Sequence, residues 1–108
     1  MANTFKSNPV ANVGTTATTI YTCPTATQTT AIGMSVANTT ASMITVSVTF
    51  VSGGVTVYLV KNANVPVGGA LVVLGGDQKV VLEAGDYIQV VSSADSSADV
   101  LFSYLEIA

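Results

Sequence analysis

Ile44-Thr45-Val46-Ser47-Val48-Thr49-Phe50 alternates apolar and hydroxyl-bearing residues without a break. Successive side chains of a strand point to opposite faces, so this stretch is a β-strand with one greasy and one wet side. Gly53-Gly54 follows directly. Both glycines can take positive φ, which is what a two-residue hairpin loop requires. Val55, Val57 and Leu59 then resume the alternation on a return strand, which Lys61-Asn62-Ala63-Asn64 should end.

The same reading extends in both directions. Upstream, Thr18 to Cys23 is a strand closed by Pro24, and Thr29 to Asn38 alternates Ile32, Met34 and Val36 with smaller residues. Downstream, Pro66 with Gly68-Gly69 makes a loop before the short apolar run Ala70 to Leu74. Gly75-Gly76-Asp77 stops that run, Lys79 to Leu82 is a further strand, and Glu83-Ala84-Gly85-Asp86 is a tight turn. Tyr87 to Ser92 and Val100 to Ile107 are the last two strands, separated by the polar loop Ser93 to Asp99. No stretch holds an i, i+3, i+4 apolar pattern beyond one turn. The expectation is an all-β chain, a single antiparallel β-sandwich of jelly-roll-like type with about eight strands. Residues 1–14 lack this patterning and read as an extended N-terminal arm, leaving 15–108 for the sandwich domain.

Of the 108 residues, 49% are hydrophobic and only 8% are charged. An average soluble domain carries about 25% charged residues. So few charges offer a lone subunit little protection against association, which points to a surface covered by neighbours. Apolar residues at both parities sharpen that point. Leu71 to Leu74 are all apolar, and Val100, Leu101, Phe102, Tyr104, Leu105 and Ile107 put apolar groups on both sides of the last strand. A sandwich strand needs only one buried face. Those six residues, with the N-terminal arm, are the expected interface.

Function classes fall away by composition. With three lysines, Lys6, Lys61 and Lys79, and no arginine, the chain lacks the clustered cations that phosphate binding uses, so neither nucleic acid nor an anionic membrane is an expected partner. Every apolar run is too short to span a bilayer, and residues 1–10 show no signal-peptide pattern. With no histidine, general acid–base catalysis would fall to six carboxylates, five of them in expected turns or their edges, where Asp usually bonds backbone. Cys23 is the sole cysteine and reads as a small buried residue at a strand end, not a nucleophile. Asp95 and Asp99 lack the remaining ligands of a calcium loop. The expectation is a protein without enzymatic activity, cofactor or metal. Tyr21, Tyr58, Tyr87 and Tyr104 are the residues from which a glycan-binding face on a host surface would have to be built, the more distant alternative.

Two segments carry a resemblance. Ala31 to Thr40 followed by Ile44 to Val48, and Leu74-Gly75-Gly76-Asp77-Gln78-Lys79-Val80-Val81-Leu82 continuing through Gly85-Asp86 to Ser103-Tyr104-Leu105-Glu106-Ile107, resemble small virion structural proteins of tailed bacteriophages. Tyr58 to Ala63 with Pro66 adds to it, so the likeness covers roughly residues 28–107. It implies a capsid decoration or cement protein made in the host cytoplasm and carried on the virion. The implied partners are other copies of itself, a trimer being one arrangement, and the major capsid protein. A tail, neck or fibre component is the alternative it leaves open. No site residues come with the resemblance.

Overall fold

A computed structural model describes residues 3–74 and 80–108. The expected turn at Gly75-Gly76-Asp77, and Lys79 at the start of the next strand, lie outside the described residues. Nine strands are seen: β1 (Asn3–Val13), β2 (Thr18–Thr22), β3 (Gln28–Asn38), β4 (Ile44–Ser52), β5 (Val55–Val65), β6 (Ala70–Leu74), β7 (Val80–Leu82), β8 (Tyr87–Ser92) and β9 (Ala98–Ile107). The larger sheet runs β1-β9-β3-β6, with β7 also paired to β3, and the smaller runs β2-β8-β4-β5. All observed pairings are antiparallel. β6 and β7 occupy successive stretches of the same lane beside β3, so nine strands fill eight lanes. Apart from the β4–β5 hairpin, successive lanes cross between two four-lane layers, which is the jelly-roll arrangement of a β-sandwich.

The alternation of β4 does what its sequence requires. Ile44, Val46 and Val48 are buried, while Thr45, Ser47 and Thr49 are only partly covered. The Gly53-Gly54 loop has φ of 58° and 81°, and Ser52 pairs with Val55 across it. β5 departs from the expected pattern. Two register shifts interrupt its pairing with β4, and Val57, opposite Phe50, and Val55, opposite Ser52, stay exposed. Nor does it end at Lys61–Asn64. Asn62 takes φ 50° and donates its N–H to Ser47 Oγ at 3.0 Å, which carries the strand through to Val65. Asn and Asp tolerate this left-handed conformation better than most residues.

The segment expected as an arm beside the sandwich is an edge strand within it. β1 pairs along β9 from Asn3 opposite Ile107 to Val13 opposite Ala98. Its period-two signal is hidden because Thr4, Lys6 and Asn8 share the inward parity with Val10. Lys6 and Asn8 spend it on polar contacts: Lys6 Nζ lies 2.9 Å from Glu106 Oε1, and Asn8 Nδ2 donates to Ile20 O at 2.5 Å. Only Val13 of this strand is fully buried, with Val10 packed against the core beside it.

The core between the layers is built on Phe102, Leu74, Leu82, Ile88 and a set of valines. Tyr21, Phe102 and Tyr104 cluster with ring centroids 4.3–5.4 Å apart. Such tilted and offset contacts suit the quadrupoles of aromatic rings. Asn38 plugs one end of the sandwich: its Nδ2 donates to Ser42 O and Val65 O at 2.8 and 3.0 Å, and its Oδ1 accepts from Thr40 N and Oγ1. A buried amide with every group engaged costs little, whereas the same amide unpaired would cost a few kcal/mol.

Candidate interaction surface

The two outer faces of the sandwich differ in chemistry. On the smaller sheet, Thr19, Gln89, Thr49 and Tyr58 lie in one cross-strand row, and Gln89 Nε2 donates to Thr19 Oγ1 at 3.1 Å. Ser47 and Asn62 pair beside it. That face is mainly polar, with Val51, Tyr87 and Val91 half-covered beside the row.

The larger sheet turns out a greasy face. One cross-strand row reads Phe5, Leu105, Thr30, Val81. Four residues along the strands, another reads Pro9, Leu101, Ser35, Val72. Between them lie Ser7, Ser103 and Gly33, where a bulge in β3 sets Ile32 and Gly33 opposite Ser103. Phe5 is 75% exposed, Val72 68%, Val81 60% and Leu101 48%. Single exposed hydrophobes are ordinary, but a contiguous set on one face marks a surface that something covers. A shallow hollow of about 250 Å³ lies over the second row, bounded by Pro9, Val10, Ala11, Ser35, Ala37 and Leu101 among others.

The six residues expected to form an interface divide by parity. Val100, Phe102 and Tyr104 are buried in the core and cannot meet a neighbour. Leu101, Leu105 and Ile107 face outward, and the first two belong to the apolar rows. The last strand is no sheet edge, since β1 and β3 flank it on either side. Its two-sided greasiness has two separate causes, a core face and an outer sheet face. Phe5 and Pro9 lie in the N-terminal segment expected at the interface, whereas sequence reasoning missed Val72 and Val81, whose common face with them shows only once the strand order is known.

A polar tie crosses the layers near the other end of β9. Tyr21 donates its hydroxyl hydrogen to Glu106 and lies 2.8 Å from Thr29 Oγ1, which in turn lies 3.3 Å from Cys23 Sγ. The Tyr21 bond first, and Lys6 second, hold the Glu106 carboxyl below its usual range. Burial, then the bond to Glu106, pushes the Tyr21 phenol up. Lys6 is likewise raised by its bond to Glu106. Chemically this is a clasp. Its carboxylate is taken by a cation and a phenol, and the Cys23 thiol is sunk among Thr27 O, Thr29 Oγ1 and Leu82 O.

Three further carboxylates serve the backbone or loops. Asp86 Oδ2 accepts from Glu83 N, Asp95 Oδ1 from Thr15 Oγ1, and Asp99 Oδ1 from Asn12 N. Among the described residues no three His, Cys, Asp or Glu side chains gather as metal ligands would. The four tyrosines do not form one platform. Tyr21 and Tyr104 are buried, Tyr87 is half-buried, and Tyr58 is exposed with Lys61 Nζ 5.1 Å from its ring centre. A larger open hollow of about 580 Å³ lies by Thr27, Gln28, Glu83 and Ile107.

No protein-family profile and no curated protein sequence matches the chain. Among solved structures, a chain described by the words "Bacillus endospore appendages form a novel family of disulfide-linked pili" superposes with a TM-score of 0.48 at 17% identity. The superposition covers 100% of this chain and 91% of that one. The likeness is one of shape, and no functional argument rests on it.

Proposed function

We propose that this protein is a non-enzymatic structural subunit of a tailed-bacteriophage virion, a decoration or cement protein that stabilises the head shell through subunit contacts. The observation that carries the structural role is the contrast between the two outer faces. The outer face of the smaller sheet is mainly hydroxyls and amides, with its exposed Val55 and Val57 gathered by the β4–β5 hairpin loop, whereas the larger sheet presents Phe5, Leu101, Val72 and Val81 along two cross-strand rows. A free-standing monomer gains nothing from one greasy face. A subunit in an assembly gains buried apolar area at about 25 cal/mol per Å², repeated at every copy. The placement on a virion is supported by the sequence resemblance of residues 28–107 alone.

The test is electron imaging and composition analysis of particles made with and without this protein. The reading expects many copies on the head surface and shells that rupture more readily when the protein is missing. Few copies, confined to the neck or tail, would move it to those parts of the particle. Absence from particles altogether would overturn the reading.

A further inference from the structure

We propose that the occupant of the apolar face is a second copy of this chain, related by a two-fold axis in the interface plane along the row Ser7, Ser103, Gly33. This rests on the reading of that face as the one that is buried. Its argument is self-complementarity, which a two-fold contact demands because the same patch supplies both sides.

The axis along the small row sets each apolar row against the other row of the partner. Phe5 and Leu105 of one copy then face Pro9 and Leu101 of its mate. The most exposed large side chain, Phe5, lands over the hollow that Pro9, Ala11 and Leu101 help to bound. Ser7, Ser103 and Gly33 meet their own counterparts, where small side chains let the backbones come closest.

Charge agrees with this placement. Glu83 carries a charge at the flank, beside Gln28 and Ile107, and among the described residues of the rows themselves and the outward positions continuing β9 the charge is on Asp99. The same operation sets it against the partner's row of Asn3, Ile107 and Gln28, whose two side-chain amides can donate to a carboxylate. No charge is stacked on its own image. Size agrees too. Four lanes about 4.8 Å apart and eight residues at about 3.3 Å each give a flat footprint of about 500 Å², before side-chain relief adds to it. A standard interface takes about 800 Å² from each partner.

Cysteine scanning with a short bifunctional maleimide, alongside sedimentation, tests the geometry. The native Cys23 is buried and leaves a silent background. Ser103→Cys and Ser7→Cys are expected to cross-link to dimers, whereas Thr56→Cys, exposed on β5 of the other sheet, is expected not to. Phe5→Ala is expected to weaken the dimer about tenfold or more, a loss typical of an aromatic anchor seated in a partner's hollow. A monomer at all concentrations overturns the inference, as do a dimer that cross-links equally well through position 56 and a dimer indifferent to Phe5. Such a monomer that still coats shells would sink the two-fold contact and leave the virion role standing. A dimer of the stated geometry that never joins particles would do the reverse.

Discussion

Tyr21, on the smaller sheet, donates its hydroxyl hydrogen to Glu106 Oε2, on the larger sheet, at 2.5 Å. The same carboxylate takes Lys6 of β1 on its other oxygen. One side chain thus ties both layers and the edge strand together. Tyr21→Phe keeps the ring packed on Phe102 and Tyr104 and removes only the hydroxyl. The expected cost is about 1.5–3 kcal/mol, the range for a hydrogen bond to a charged group, read from the urea midpoint at constant m-value.

The clasp also sets a pH dependence. Glu106 has a depressed pKa in the folded protein, so the unfolded chain takes up its proton first on acidification. Its contribution is whole above the ordinary carboxylate range, about pH 4.3, and fades as pH falls through the lower folded value. Tyr21 is raised, so its contribution is whole below about pH 10 and fades as pH climbs from there. Stability curves against pH should therefore flatten at the acid end in Glu106→Gln and change at the alkaline end in Tyr21→Phe. Acid slopes identical in wild type and Glu106→Gln would contradict the assignment.

Phe102 is fully buried between the layers and stacks on Tyr21 and Tyr104. Phe102→Ala leaves a cavity that the surrounding strands can only partly close. A loss of about 3–5 kcal/mol is expected by chemical denaturation.

Gly85 has φ +90° with nothing within 4 Å of where a Cβ would stand. Its N–H donates to Cys23 O, and the neighbouring Asp86 N–H bonds back to Glu83 O. Gly85→Ala therefore costs backbone strain with no steric clash, about 1–2 kcal/mol in thermal or urea unfolding.

Leu101 points out from the middle of the greasy face and is half exposed in the single chain. Leu101→Lys should leave the stability of one subunit within about 0.5 kcal/mol, as for ordinary surface changes. It should abolish association, since the ammonium would be buried unpaired against a neighbour. Unfolding of dilute protein and sedimentation at high concentration separate the two effects.

How much of this was legible in the sequence depends on the strand. β4 and β8 announce themselves, because each has one face in the core and one face of hydroxyls, amides or partly covered residues. β1 does not, because its inward positions hold Lys6 and Asn8, which serve the clasp and the Ile20 carbonyl. β6 misleads for a different reason. A register shift between Met34 and Ser35 leaves Val73 unpaired in the ladder, so both Val73 and Leu74 turn inward and the alternation breaks. The greasy face itself was half visible, as excess apolar residues in β9. Its other members come from β1, β6 and β7, and no local pattern shows that residues 5, 72, 81 and 101 share one side of one sheet.

The pairing of Asn3 with Ile107 has a consequence for how the molecule is made. β1 emerges well before β9 and waits for it before it has a neighbour in the sheet. The β4–β5 hairpin, joined by two glycines, can zip while synthesis continues. The layer containing β1 can be completed only once β9 has emerged, because β9 sits between β1 and β3. Contacts so distant along the chain make for slow closure. Until then the edge of β3 that β9 will pair with is open, and nascent chains crowded on one message are at their most prone to misassembly in that interval.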